Sequence, residues 1–246
     1  MKEMAANIAL RDRIILALDL DHPDQARELV EKTESHLGFY KVGLQLFLAD
    51  WFGIVDWLID RGHRVMLDLK LHDISATVAL AVAQLAAHGV TFATVHGEAP
   101  VVKAATVAAT GRVGILAVTV LTSLGEEDLR QSGIVMPLPD LVLQRARTAL
   151  DAGCRGVVAS GQEAAMLRRE LGRDFVIVTP GIRPNSALLN NRDDQHRVQT
   201  AGRAIANGAD YLVVGRPISQ AADPLAVIEA MQAEIVTALA AQPITE

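Results

Sequence analysis

The feature that most constrains this chain is a regular alternation of short apolar or β-branched runs with stretches of helical periodicity. The runs predict strands at Ile14 to Leu18, Phe39 to Val42, Arg64 to Leu69, Phe92 to Val95, Val113 to Val118, Gly156 to Ala159, Phe175 to Val178 and Tyr211 to Val214. Between them, apolar spacing predicts helices near Pro23 to Ser35, Leu44 to Arg61, Ile74 to Ala87, Pro100 to Ala109, Pro139 to Ala152, Gln162 to Leu171, Thr200 to Asn207 and Pro224 to Ala240. Nearly continuous hydrophobic strands alternating with helices indicate a parallel sheet covered by helices. Eight such units in 246 residues fit one closed (β/α)8 TIM barrel occupying residues 1–246. A doubly wound open sheet is the rival, but the turn after the first strand reads Leu18-Asp19-Leu20-Asp21-His22-Pro23 and lacks its Gly-x-Gly-x-x-Gly marker.

A chain that is 50% hydrophobic buries enough surface to offset its ordering entropy, which excludes disorder. Lys plus Arg number 23 against 29 Asp plus Glu, a net charge of −6, which argues against a broad footprint on nucleic acid or an anionic membrane. A small anionic ligand needs only a few local donors and stays compatible with that balance. Cys154 is the single cysteine, so an intramolecular disulfide and a Cys-rich zinc site are excluded, and its apolar surroundings read as a buried thiol. Met1 to Ile8 lacks the apolar core of a signal peptide, and no run of about 18 apolar residues is available to span a membrane. These points predict a cytoplasmic, soluble protein.

Barrel enzymes assemble their sites where strands end. The densest charge cluster, Asp68-Leu69-Lys70-Leu71-His72-Asp73, ends the third strand. The two-residue period of a strand points Asp68 and Lys70 to one side and Leu67 and Leu69 to the other. Asp73 falls where the next helix begins, with Thr77 four residues on and on the same face. A bland alternative makes Asp73 an N-cap and Asp68 with Lys70 a structural ion pair. Asp19 and Lys41 end the first two strands, so the barrel mouth is expected to hold two carboxylates and two ammonium groups that keep one another charged.

The last strand runs into Val214-Gly215-Arg216-Pro217, where a glycine lets the backbone approach an anion and a guanidinium matches phosphate oxygens. The seventh ends in Thr179-Pro180-Gly181-Ile182-Arg183-Pro184, followed by a polar loop reaching Gln195 that reads as a lid or a surface insertion. His96 ends strand four and either lines the site or bonds locally. The histidines show no paired spacing for zinc, and no cofactor motif appears, so neither metal nor organic cofactor is assigned.

Asp68-Leu69-Lys70-Leu71-His72-Asp73-Ile74, with Thr77 beyond, resembles the signature of the orotidine 5′-phosphate decarboxylase family, which catalyses the last step of de novo UMP synthesis. The resemblance runs from Asp19 to Arg216 and includes Tyr40-Lys41-Val42-Gly43, Val120-Leu121-Thr122-Ser123, Gly181-Ile182-Arg183-Pro184, Asp194-Gln195 and Gly215-Arg216-Pro217. Ser75 and Ala76 stand where that family commonly has Pro and Asn. The resemblance implies that Asp19 and Lys41 hold the ribose hydroxyls and Thr122 meets the pyrimidine. It further implies that Gln195, Gly215 and Arg216 hold the 5′-phosphate, that Arg183 belongs to the mobile loop and that Lys70 is the proton donor beside Asp68. Asp73 and Thr77 are expected to serve the partner's site in a homodimer. Two rivals stand beside this reading: a magnesium-dependent sugar-phosphate enzyme, which needs an acidic residue where Lys41 ends strand two, and a non-catalytic nucleotide-binding protein.

Overall fold

The computed structural model describes residues 8–96, 98–184 and 198–241. Strands β1 (Ile14–Ala17), β2 (Phe39–Gly43), β3 (Arg64–Leu71), β4 (Phe92–His96), β5 (Gly114–Val118), β6 (Gly156–Val158), β7 (Val176–Thr179) and β8 (Tyr211–Val214) pair in parallel and in chain order. Pairing of β8 with β1 through Ile14↔Leu212 and Leu16↔Val214 closes the barrel. The expected fold class is therefore the observed one.

Strand alternation sorts the side chains into two cores. Ile14, Leu16, Tyr40, Val42, Val65 and Leu67 face outward against the helices, in the larger core. Ile15, Phe39, Met66, Phe92, Leu116, Val178 and Tyr211 fill the barrel interior. At the N-terminal end of the barrel, the rings of Phe39, Phe92 and Tyr211 meet at 5.5 to 5.7 Å. The Arg64 guanidinium closes that floor, 4.6 Å from the Phe39 ring centre and 3.3 Å from the Tyr211 hydroxyl. A plugged floor leaves the opposite end, where strands finish, as the only mouth a barrel of this kind offers.

The expected helices appear in the expected order, with one of them divided in two and three short helices added. The predicted helix Leu44 to Arg61 is two helices, α3 (Leu44–Asp50) and α4 (Gly53–Asp60), numbered after α1 (Leu10–Arg13) and α2 (Pro23–Thr33). Trp51 adopts a left-handed φ of 49° at the break. The kink brings both Trp51 and Phe52 edge-on to Phe47 and stacks Phe52 on His88 at 3.7 Å. A β-carbon at Gly53 would stand 2.7 Å from the Asp50 carboxylate, so a larger residue there would make that side chain turn away. Beyond α5 (Ser75–Ala87) and α6 (Ala99–Ala109), the connection after β5 carries an unforeseen short helix α7 (Glu126–Gln131). The circuit continues through α8 (Leu138–Asp151), α9 (Gly161–Leu171), α10 (Ala201–Ala206), α11 (Arg216–Ser219) and α12 (Pro224–Ala240). Asp223 caps α12 by accepting from the N–H groups of Leu225 and Ala226, with Pro224 pre-set at the first helical position.

Among the described residues no helix is long and apolar enough to cross a membrane. Cys154, between α8 and β6, is buried with its Sγ against the carbonyls of Ile115 and Gly156, and burial pushes its thiol up to about 11, which makes it an inert core group rather than a nucleophile.

Candidate active site

At the C-terminal ends of the strands lies a cavity of about 640 Å³, lined by residues from the first three strands and from the last four. Asp19 reaches it because the β1 ladder continues one residue past the strand, with the Leu18 N–H donating to the Lys41 carbonyl at 2.9 Å. Lys41 projects from β2 and is almost wholly buried at 7% exposure. Its Nζ donates to Asp19 Oδ1 at 2.7 Å and stands 3.7 Å from Asp68 Oδ2. Lys70 Nζ approaches the other Asp68 oxygen at 3.0 Å. The order across the mouth is thus Asp19, Lys41, Asp68, Lys70, an alternation of sign in which every charge has an opposite neighbour.

The same-side expectation for Asp68 and Lys70 holds, but the strand is not regular there. Between β3 and β4 the register runs Leu67↔Ala93 and then Leu71↔Val95, so β3 carries extra residues across that step. Lys70 sits in this bulge with φ of 50°. Burial alone would raise the Asp68 pKa. The charges of Lys41 and Lys70, with hydrogen bonds from Lys70 and the Thr94 hydroxyl, outweigh it and hold the carboxyl below its ordinary range. A carboxylate kept ionised between two ammonium groups is a fixed negative charge, and of the two cations Lys70 is the one partly exposed at the cavity.

Thr122, Arg183, Gly215 and Arg216 also line the cavity. Arg183 Nη1 donates to the carbonyl of Ile182, and the loop carrying it is clipped at its base by Arg183 N–H to Gln199 O and Gln199 N–H to Gly181 O. Gln195 lies outside the described residues, so the lid expectation has its two ends in the structure and not its tip. Asp73 and Thr77 are exposed and stand apart from this cavity. Asp73 is not an N-cap: Ile74 occupies that position, and the Asp73 carboxylate accepts from the Ile74 N–H at 2.6 Å. His96 is half-buried beside His72, at 5.1 Å between rings, outside the cavity lining. Burial, then the His72 charge, lowers its pKa.

Three features escaped the sequence reading. The first is the apolar wall of Met66, Val118, Val120, Leu121, Val158 and Val213, whose inward members are indistinguishable in sequence from ordinary barrel core. The second is Gly43, where a β-carbon would meet Asp19 Oδ1 at 2.9 Å and Lys41 Nζ at 3.1 Å, so the glycine leaves room for that pair. The third is Thr94, fully buried and hydrogen-bonded to Asp68. A signal for it existed, since a hydroxyl two residues before His96 shares the inward face of β4 with Phe92.

A parallel barrel whose mouth sets alternating carboxylates and ammonium groups against an apolar wall, with an arginine after the last strand, is a (β/α)8-barrel enzyme with a charged, partly desolvated site. The model of the orotidine 5′-phosphate decarboxylase / HUMPS family matches residues 12–231, and the chain belongs to that family. It is 49% identical over 231 residues to orotidine 5′-phosphate decarboxylase of Methylococcus capsulatus, covering 93% of both chains. It is 47% identical over 234 residues to the protein of that name from Xylella fastidiosa strain M12, covering 94% of this chain and 95% of the relative. The crystal structure of orotidine 5′-phosphate decarboxylase from Lactobacillus acidophilus superposes with a TM-score of 0.78 at 35% identity, over 92% of this chain and 99% of that one.

Proposed function

We propose that this protein decarboxylates orotidine 5′-monophosphate to UMP and CO2, the last step of de novo pyrimidine nucleotide synthesis, without a metal or organic cofactor. The observation that carries this reading is the position of Lys70 Nζ, held 3.0 Å from a buried Asp68 at the open side of the charge alternation. When the bond from C6 to the carboxylate carbon breaks, its electron pair stays on C6 in the ring plane, where the π system cannot delocalise it. A fixed cation at that point stabilises the pair, and the Lys70 ammonium then transfers a proton to C6, leaving a neutral amine that takes a proton back from solvent. Asp68 holds Lys70 in place and lies beside the substrate carboxylate. The apolar wall favours a neutral leaving CO2 over the charged carboxylate it came from.

Enzymes remove roughly 8 to 23 kcal/mol from a barrier, and a localised carbanion belongs at the demanding end of that range. Binding energy from the distant phosphate helps to meet that demand by aligning and desolvating the ring. Gly215, Arg216 and Gln195 take the 5′-phosphate, Asp19 and Lys41 the ribose hydroxyls, and Thr122 the pyrimidine, with Arg183 on the same cavity wall. Asp73 and Thr77, exposed on one chain, complete the site of a twofold partner in a homodimer. We place the protein in the cytoplasm, where its free Cys154 stays reduced.

The magnesium-dependent alternative meets a specific obstacle: the Lys41 ammonium occupies the position between Asp19 and Asp68 that a divalent cation needs. The test is an absorbance and CO2-release assay of the purified full chain with orotidine 5′-monophosphate, with and without EDTA. Turnover unaffected by the chelator is expected. Activity on ketose phosphates restored only by magnesium, or UMP binding without CO2 release, overturns the reading.

A further inference from the structure

Thr94 touches neither the cavity nor solvent, yet it is bonded to both residues on which the proposed chemistry depends. On β4 the inward positions are Phe92 on the barrel floor, Thr94 and His96 at the mouth. Thr94 has no exposed surface, so its hydroxyl needs partners within the protein. It accepts from the backbone N–H of Lys70 at 2.9 Å and donates to Asp68 Oδ1 at 2.9 Å. Lys70 Nζ reaches that same Asp68 oxygen at 3.0 Å. The contacts close a ring: Lys70 N–H to Thr94, Thr94 to Asp68, and Asp68 back to the far end of the Lys70 side chain.

The ring sits on the irregular step of β3. There the ladder to β4 is interrupted between Leu67 and Leu71, and Lys70 takes a left-handed φ of 50°, a conformation that a residue with a β-carbon disfavours. Such a backbone persists only where its surroundings over-determine it. The Thr94 hydroxyl supplies that constraint from the neighbouring strand.

We propose that Thr94 is a positioning residue for the decarboxylation, fixing the bulged backbone of Lys70 and the orientation of Asp68 together so that Nζ is aimed at the reacting carbon. The inference rests on the function proposed above, and it adds a residue that never meets substrate. The groups facing Asp68 are Lys41 from β2, Lys70 from β3 and Thr94 from β4, with Asp19 beyond Lys41 and His96 beyond Lys70.

The test compares wild type with Thr94→Val, which keeps the shape and removes the hydroxyl, and with Thr94→Ser, which restores it. Misplacing a catalytic group by about 1 Å costs on the order of a hundredfold, so Thr94→Val is expected to lose about that much in kcat while KM and UMP affinity change by no more than about threefold. The acid limb of its kcat–pH profile moves to higher pH, because ionised Asp68 has lost a donor. Thr94→Ser recovers most of kcat and returns the limb. Circular dichroism checks the fold, and if the valine variant does not fold, Thr94→Ala replaces it with the same expectations. A folded variant lacking the hydroxyl but with wild-type kcat and acid limb overturns the proposal, as does a serine variant as impaired as the valine one. Wild type that releases no CO2 from orotidine 5′-monophosphate instead refutes the proposed function, and this inference falls with it.

Discussion

Replacing Lys41 by Met removes the central positive charge of the alternation and keeps most of its volume. At 3.7 Å and an effective dielectric near 20, the attraction of Lys41 for Asp68 is about 4.5 kcal/mol before desolvation. Its shorter contact with Asp19 counts for less, about 1 kcal/mol, because that carboxylate is 55% exposed and screened by water. Against these stands the relief of leaving no ammonium buried, and Asp68 keeps Lys70 as a partner. The expected balance is a loss of about 3 kcal/mol at pH 7, at the low end for breaking a buried pair and roughly 6 to 12 °C in Tm for a domain of this size. The loss has a defined pH dependence. The folded Asp68 pKa lies below its unfolded value near 3.9, so the pair's stabilisation is complete above that unfolded value and disappears as pH falls through the folded one. Melting curves of wild type and Lys41→Met should therefore converge between about pH 4 and the acid limit of the fold. A deficit below about 1 kcal/mol at pH 7, or one that stays constant on acidification, refutes the view that Lys41 and Asp68 are a mutually sustaining buried pair.

Lys70→Ala and Asp73→Ala should each be nearly inactive, and mixing equal amounts with free subunit exchange should restore activity toward one quarter of wild type per total site, as an isologous shared site requires; exchange verified by mass without recovery rejects the shared site. Gly43→Ala places a β-carbon 2.9 Å from Asp19 Oδ1, and since φ there is −94° the cost is contact rather than conformation. An increase of about tenfold in KM with Tm nearly unchanged is expected, and an unaltered KM counts against the Asp19–Lys41 pair as a sugar site. Arg216→Ala should lower kcat/KM for the 5′-phosphate and leave the phosphate-free nucleoside nearly untouched, whereas equal losses for both make Arg216 structural.

The alternation of apolar strands with helices defined a parallel α/β fold, because a parallel strand buried on both faces must be hydrophobic throughout and must be followed by a crossover, and eight such units without a Gly-x-Gly-x-x-Gly turn favoured the barrel over an open sheet. Strand-end charges were legible for the same reason. Asp19, Lys41, Asp68 and Lys70 interrupt otherwise apolar runs, and a charge at the end of a buried strand is either paired or used. The α3–α4 break was not legible, since Leu44 to Arg61 keeps its apolar spacing across Trp51 and only the packing of Phe47, Phe52 and His88 favours the kink.

The local sequence thus determined the fold class and which charged residues meet at the mouth, since burial and alternation are properties of each strand by itself. Tertiary structure alone decided how they meet. The bulge at Lys70 exists only in the register between β3 and β4. The separation of Asp68 from Lys41 depends on the pairing of β2 with β3, and the hydroxyl that ties Lys70 to Asp68 comes from Thr94, 24 residues further along the chain. Contacts of that kind carry no local signature, because each partner's own surroundings fit several roles and only the closed barrel selects one.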